Sequence, residues 1–252
     1  MKWIKASLLL FLLLEVSLVR AEDLLLAVAS NFAAPMDALS EQFEEATGHR
    51  VEIAYGSSGR LYAQISNGAP FQLFFSADQD KPARLLAAGL AVADSRFTYA
   101  VGALLLWSAD ANLPAVGPEL LRGDFTRLAI ANPTVAPYGQ AALEVLHRLD
   151  MSELVASRVV RGENIAQTFQ FVETGNAQLG FVAQSQVLVD GVIQRGSGWL
   201  VPTSLHQPIR QDAVLLSRAS DCQSCRAFLV FMQSAAAQAT IASFGYQSPP
   251  SQ

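Results

Sequence analysis

Short apolar segments alternate with amphipathic segments along most of the chain. Leu24–Ala29 is a continuous apolar run, and Met36, Leu39 and Phe43 then recur at helical spacing as far as Gly48. A continuous run is typical of a strand buried on both faces, and the wider spacing is typical of a helix with one buried face. The alternation predicts an α/β fold in which helices flank largely parallel sheets.

Two long extended segments divide this pattern into two parts. The apolar segment from Tyr99 to Trp107 is long enough to leave one sheet and enter another, and the segment from Ile209 to Leu216 can return to the first sheet. We therefore predict two lobes joined by two crossover strands, each lobe a mostly parallel sheet flanked by helices. The predicted boundaries are 22–100 and 210–252 for lobe one and 101–209 for lobe two.

Four strands run directly into short turns that open helices, two in each predicted lobe. A helix start carries unpaired N–H groups and a partial positive charge, and ligands of open α/β sheets bind beyond the carboxyl ends of the strands. Several such starts aimed at one point would bind an anion without a Lys or Arg. Taken singly, each turn equally fits an ordinary helix cap. The turns are Ser30-Asn31-Phe32, Gly56-Ser57-Ser58-Gly59, Ala136-Pro137-Tyr138-Gly139 and Gly162-Glu163-Asn164-Ile165.

The side chains in these turns limit the class of ligand that the turns can bind. Asn31, Ser57, Ser58 and Tyr138 are neutral hydrogen-bond donors, and Glu163 is the one carboxylate within the four turns. Neutral donors suit a small, fully ionised oxyanion, whose oxygens only accept. A protonated anion such as phosphate would need an acceptor carboxylate, and a ferric ion would need clustered Tyr, His and carboxylate ligands.

The amino terminus resembles an export signal. Lys2 and Lys5 precede an apolar run, and Ala21 is the small residue expected at a cleavage site, so residues 1–21 are predicted to be removed on export. The alternatives are an uncleaved anchor and a cytoplasmic chain with an apolar first helix. Cleavage removes Lys2, Lys5, Arg20 and Glu15, a net +2, and changes the formal charge from −5 to −7. An acidic protein disfavours nucleic acid and anionic membranes as partners.

Cys222 and Cys225 are the only cysteines, at the start of a carboxy-terminal helix predicted over 226–244. A redox CxxC motif would follow a thioredoxin-like strand, and none is predicted there, so we expect a structural or incidental pair, with a local disulfide and two free thiols as the alternatives. Two sulfur ligands do not make a zinc site, and His49, His147 and His206 are scattered along the chain.

Other catalytic motifs are weak. Asp78 and Asp80 fit helix caps better than an acid/base pair. The segment Tyr55–Arg60 only approximates a Gly-x-Ser-x-Gly nucleophile elbow, so a secreted hydrolase using Ser57 or Ser58 is an alternative without a placed His. Neither a Walker motif nor a Rossmann GxGxxG occurs in the sequence.

The chain as a whole resembles the periplasmic molybdate-binding proteins. The most specific blocks are Asn67-Gly-Ala-Pro70 and Phe75-Ser-Ala-Asp78. The resemblance implies a two-lobe periplasmic-binding-protein fold of type II. It also implies a monomeric, periplasmic receptor that has no cofactor and delivers molybdate or tungstate to an ABC transporter permease. The matching blocks are 27–35, 55–59, 64–71, 74–78, 95–100, 131–139, 179–183 and 208–213.

The resemblance also implies the ligand contacts. The first falls on Asn31, with Ser30 beside it, and the second on Ser58. The backbone donors of the other two turns fall on Tyr138 and on Ile165, whose side chain is irrelevant to the contact. Many members place a Tyr after the Leu179–Val182 strand where this chain has Ala183. We predict that the Tyr138 hydroxyl takes over that contact. Receptors for sulfate or phosphate remain alternatives.

Overall fold

The computed structural model describes residues 22–113, 117–189, 191–193 and 195–248. The predicted export signal lies outside the described residues. Within these ranges, no helix is both long enough and apolar enough to cross a membrane.

Strands and helices alternate along the chain, as predicted. The strands are β1 Asp23–Ala29, β2 Arg50–Gly56, β3 Leu73–Phe75, β4 Phe97–Gly102, β5 Leu104–Ser108, β6 Leu128–Ala131, β7 Val159–Gly162, β8 Leu179–Ala183, β9 Leu188–Val189, β10 Val192–Ile193, β11 Ser197–Leu200 and β12 Ile209–Leu215. The helices are α1 Ala33–Thr47, α2 Ser58–Ser66, α3 Asp80–Ala87, α4 Pro137–Arg148, α5 Ser152–Val155, α6 Ile165–Glu173, α7 Gln223–Met232 and α8 Ala235–Ser243.

The first half of the molecule is built on a five-stranded sheet of order β2-β1-β3-β12-β4. On one face, apolar residues of α1, α7 and α8 pack against the strands, Met36, Phe228 and Ile241 among them. On the other face, α2 and α3 contribute Leu61 and Leu85. Both faces are therefore covered, which explains why β1 is an uninterrupted apolar run.

The second half is built on another five-stranded sheet, of order β11-β5-β8-β6-β7. Helix α4 packs on one face through Ala141 and Val145, and α6 packs on the other through Val172. The two halves thus repeat one architecture, as the alternating pattern predicted.

Two extended segments connect the halves. The single apolar segment predicted from Tyr99 to Trp107 forms β4 in the first sheet and β5 in the second, separated only by Ala103. Strand β12 returns to the first sheet and pairs antiparallel with β3 and β4. Each sheet is mixed, with two parallel and two antiparallel pairings, because the connecting strands β4, β5 and β12 run against their neighbours.

The carboxy-terminal segment differs from the predicted single helix over 226–244. The structure has two helices, α7 and α8, separated at Gln233 and Ser234. The Ser234 hydroxyl accepts a hydrogen bond from the Ala237 N–H at 3.2 Å, so it caps a new helix rather than continuing the old one. At the start of α7, Cys222 and Cys225 are joined in a disulfide.

Candidate functional site

All four predicted helix starts meet at one small cavity between the halves. The cavity is partly open to solvent, and about 190 Å³ of space lies between its surrounding atoms. The first half lines it with the carboxyl ends of β1 and β2, the turns that follow them, and Ala77. The second half lines it with the starts of α4 and α6. The lining residues are Ala29, Ser30, Asn31, Gly56, Ser57, Ser58, Ala77, Ala136, Pro137, Tyr138 and Ile165.

Parallel pairing explains why the four starts converge. Strands β1 and β2 are parallel neighbours whose last residues, Ala29 and Gly56, are register partners. Strands β6 and β7 are paired in the same way in the second half, where Ala131 is the partner of Gly162. Neighbouring parallel strands end at the same edge of a sheet, so the helices that follow them begin side by side.

Ser58 offers a hydroxyl hydrogen to the cavity. Its Oγ accepts a hydrogen bond from the Ala77 N–H at 2.9 Å, and the side chain is 1% exposed. Because the oxygen is oriented as an acceptor toward Ala77, its own hydrogen remains to be donated elsewhere.

Ser57 is a second hydroxyl at the same turn, and the resemblance alone does not select it. It is buried, lines the cavity and makes no side-chain cap to α2. Its Oγ has no hydrogen-bond partner among the described residues. A buried hydroxyl without a partner is costly, so a ligand in the cavity that accepts its hydrogen would remove that cost. In the sequence, only the position of Ser57 in the turn Gly56–Gly59 indicated that it could bind a ligand.

Asn31 lines the cavity, but its side-chain amide is already engaged. Nδ2 donates to Gln211 Oε1 at 2.8 Å and to the Tyr246 hydroxyl at 2.9 Å. Both amide hydrogens are therefore used inside the protein. The peptide N–H of Asn31 stands at the first turn after β1, where N–H groups have no acceptor inside the helix.

The second half contributes the starts of α4 and α6. Pro137 occupies the first helical position, where its missing N–H removes no needed donor, and Tyr138 follows it. At α6 the Asn164 side chain caps the N–H of Gln167 at 2.9 Å. Tyr138 and Ile165 line the cavity, and their N–H groups lie in the first turns of α4 and α6, where a helix supplies no acceptor.

The Tyr138 hydroxyl lies at the junction between the halves. It accepts a hydrogen bond from Gln211 Nε2 at 3.3 Å and packs against Gly102, where an added Cβ would come within 2.1 Å of it. Burial raises the pKa of Tyr138 well above its usual value, and the nearby Tyr246 adds to the shift. The hydroxyl is therefore neutral and able to donate. Its contact to an anion remains a prediction.

Among the residues that the structure describes, no charged side chain lines the cavity. Hydroxyl and peptide donors surround a space without a cation to neutralise an anion and without a carboxylate to accept a proton from one. This arrangement favours a fully ionised oxyanion. It does not favour hydrolysis, since Ser57 and Ser58 share the lining with no histidine.

Two contacts between helix starts join the halves beside the cavity. The Gly59 N–H donates to the Val135 carbonyl at 2.8 Å, and an added Cβ on Gly59 would meet Val135 Cα at 2.8 Å. The exposed Arg60 and Glu163 form an ion pair at 3.3 Å. Exposed pairs contribute little, so the close backbone approach at Gly59 is the more informative contact.

A larger cavity of about 910 Å³, partly open to solvent, adjoins the first and shares Ala77, Ala136 and Pro137 with it. Charged side chains line it, including the Asp78–Lys81 ion pair at 2.7 Å. Asp78 also accepts from the Lys81 N–H at 2.9 Å, as a helix cap does. Among the described residues, no cluster of His, Cys, Asp and Glu could hold a metal ion.

Known proteins are similar to this chain in sequence and in fold. The chain matches the bacterial extracellular solute-binding protein family over residues 24–247. It is 48% identical over 228 residues to the molybdate-binding protein ModA of Azotobacter vinelandii, with 90% of each chain covered. It is 43% identical over 226 residues to ModA of Rhodobacter capsulatus, covering 90% of this chain and 88% of the relative.

Among solved structures, the fold is similar to that of the Azotobacter vinelandii periplasmic molybdate-binding protein. The TM-score is 0.87 at 39% identity, and the match covers 90% of this chain and 100% of the other. This similarity confirms the fold that the resemblance implied.

Proposed function

Because the chain belongs to the bacterial extracellular solute-binding protein family, we propose that it is the molybdate receptor of an ABC importer. It captures molybdate, and also tungstate, between its two halves and delivers the anion to a membrane permease. Relatives at 48% and 43% identity carry the name molybdate-binding protein. The observation that carries the proposal is the cavity at four helix starts, lined by neutral donors and by no charged side chain.

We assign the binding role to five residues: Ser30, Asn31, Ser58, Tyr138 and Ile165. Ser58 donates through its hydroxyl, while Asn31, Tyr138 and Ile165 donate through peptide N–H groups and Ser30 lies beside Asn31. Hydrogen bonds to a charged acceptor contribute roughly 1.5 to 3 kcal/mol each. A handful is enough for submicromolar binding after the costs of ordering are subtracted.

Closure follows from the distribution of these donors between the halves. The starts of α1 and α2 capture the dianion first, and approach of the second half brings Tyr138 and Ile165 onto the remaining oxygens. Since only the closed form makes all the contacts, the anion shifts the equilibrium toward closure. In this proposal the moving lobes are residues 22–100 with 210–252, and residues 101–209.

Selectivity against sulfate comes from size, because sulfate and molybdate are both tetrahedral dianions. Helix starts held by two sheets and spaced for the longer metal–oxygen bonds leave some donors without an acceptor when sulfate is bound. Unmet donors in a buried site are costly. The same argument predicts little discrimination between molybdate and tungstate.

The receptor acts outside the cytoplasm as a monomer and needs no cofactor, since the oxyanion is cargo. Removal of residues 1–21 on export and docking of the closed form on a permease complete the proposed cycle. The Azotobacter vinelandii protein of similar fold is described as periplasmic.

Calorimetry on the mature protein tests the proposal. Molybdate and tungstate are each expected to bind with one site per chain, and a large excess of sulfate is expected to leave the molybdate titration nearly unchanged. In a thermal-shift panel, a ligand at about 100 times its Kd adds about 2.7 kcal/mol of stability. Stabilisation by phosphate or sulfate alone, or esterase turnover, would overturn the proposal.

A further inference from the structure

A buried polar cluster lies directly behind the anion cavity. Two of its members, Asn31 and Tyr138, line the cavity, and the other four do not. All six side chains are buried, so each hydrogen bond among them is shielded from water. The cluster consists of Asn31, Tyr99, Tyr138, Ser185, Gln211 and Tyr246.

Asn31 is at the centre of this cluster. Its carbonyl accepts hydrogen bonds from Ser185 Oγ and from the Tyr246 hydroxyl, both at 2.8 Å. Its side-chain amide donates to Gln211 and Tyr246, and Ser185 Oγ lies 3.1 Å from the Tyr246 hydroxyl. These bonds hold the Asn31 side chain and the peptide that links Asn31 to Phe32, so the backbone at this edge of the cavity is fixed on the side that follows the donor N–H.

Ser185 reaches Asn31 from the other half of the molecule. Ser185 follows β8 in the second sheet, whereas Asn31 follows β1 in the first and Tyr246 follows α8. The bond between Ser185 and Asn31 therefore spans the two halves, and it would be lost if they moved apart at this point. Such a movement would leave the bonds of Tyr246 to Asn31 intact, because both residues belong to the first half.

We infer that Ser185 and Tyr246 form a polar clamp on the Asn31 carbonyl that slows release of the bound oxyanion. Tyr246 orients the carbonyl, and Ser185 binds it only when the halves are together. Both are positioning residues, since neither lines the cavity. The inference rests on the proposed function and adds to it two residues that set how long the anion stays bound.

The clamp has a kinetic signature. Because the bond from Ser185 exists only in the closed form, its loss destabilises that form and speeds opening, while capture by the open form is unaffected. The net contribution of one hydrogen bond corresponds to about a three- to tenfold change in rate. The association rate and the thermal midpoint of the ligand-free protein are expected to stay the same.

Release of radiolabelled molybdate, chased with unlabelled molybdate, tests the clamp in Ser185→Ala. Tyr99→Phe is the matched control, because the Tyr99 hydroxyl bonds only within the first half, to Gln211 at 2.9 Å and the Ser76 carbonyl at 3.2 Å. Ser185→Ala is expected to release the anion about three- to tenfold faster. The control is expected to lower the thermal midpoint without changing release.

Two results would overturn the clamp. One is wild-type release from Ser185→Ala, and the other is an equal acceleration in Tyr99→Phe, which would indicate general loosening of the first half. Failure of the proposed function looks different, because the wild-type protein would then bind no molybdate at all.

Discussion

At the scale of single residues, the account depends on which hydroxyl hydrogens remain free to reach the anion. Ser58 is the clearest case, because its oxygen already accepts from the Ala77 N–H. Ser58→Ala is expected to weaken molybdate binding by roughly 10- to 150-fold, the effect of losing one hydrogen bond of about 1.5 to 3 kcal/mol to a charged acceptor. Calorimetry measures this change in molybdate affinity.

Ser66→Ala is the matched control for this variant, since Ser66 is exposed at the far end of the same helix α2. It should bind molybdate as the wild type does. Equal molybdate affinity of the two variants would show that the Ser58 hydroxyl does not bind the anion.

Ser57 gives a different expectation because its hydroxyl has no partner in the protein. Ser57→Ala is expected to leave the ligand-free protein as stable as the wild type, or more stable, since an unsatisfied buried group is removed. Molybdate binding is expected to weaken by about tenfold if the anion accepts the hydrogen. Thermal unfolding with and without molybdate separates the two effects, and a molybdate-induced midpoint shift equal to that of the wild type would show that the anion does not accept the Ser57 hydrogen.

The cavity-lining residues of the turns could be predicted from the sequence, whereas the residues that hydrogen-bond them from elsewhere in the chain could not. Asn31, Ser58 and Tyr138 stand in short local patterns that a strand and a helix start make recognisable. Gln211 and Tyr246 contact Asn31 from 180 and 215 residues away. Nothing local distinguishes these two from other polar residues in a strand or near a chain end.

At the scale of elements, the close approach of two helix starts limits what can stand at Gly59. Gly59→Ala is acceptable inside α2, where Ala is favoured over Gly by about 1 kcal/mol. The added methyl would meet Val135 of the other half. We expect the stability of the ligand-free protein to be unchanged or higher. Molybdate affinity is expected to fall by about tenfold or more, because overpacking costs about 1 to 3 kcal/mol in the closed form.

Calorimetry and ligand-free thermal unfolding together check this variant. Wild-type affinity would show that the contact between Gly59 and Val135 is not needed for binding. A large loss of ligand-free stability would instead place the strain inside the first half.

The order of elements followed from the hydrophobic pattern, but their pairing directions only partly did. Apolar runs identified β1, β6 and β8, since buried strands need apolar side chains on both faces. The antiparallel pairing of β12 depends on the path between the halves, which no local pattern records. The interruption between α7 and α8 was missed because Ser234 sits within a continuous small and apolar stretch.

At the scale of the whole molecule, the absence of charged side chains from the cavity lining predicts binding that hardly depends on pH. The pKa of Tyr138 is raised well above its usual value by burial, so its hydroxyl stays protonated. Between about pH 6 and 9 the Kd for molybdate is expected to change by less than about twofold. Calorimetry across this range checks it, and a titration step near neutral pH would indicate a histidine or carboxylate in the site.

Stability, in contrast, is expected to fall in strong alkali. Burial raises the pKa of Tyr246 from 10.0 to about 12. The unfolded chain loses this proton near pH 10 and the folded protein near pH 12, so the contribution is complete below pH 10 and is lost as pH rises to 12. Two pKa units correspond to about 3 kcal/mol.

Urea unfolding between pH 9 and 12 tests this linkage by comparing the wild type with Tyr246→Phe. The free energy of unfolding should fall more steeply in the wild type, since only it has the titrating hydroxyl. Parallel curves for the two proteins would contradict the raised pKa of Tyr246.

A crystal structure of the mature protein with molybdate, recorded at the molybdenum absorption edge, tests the central claim most directly. The account predicts an anomalous peak in the cavity bounded by Ser30, Ser58, Tyr138 and Ile165. Hydroxyl and peptide N–H donors from both halves should lie within about 3.2 Å of its oxygens. An anomalous peak elsewhere, or a Lys or Arg side chain holding the oxyanion, would contradict it.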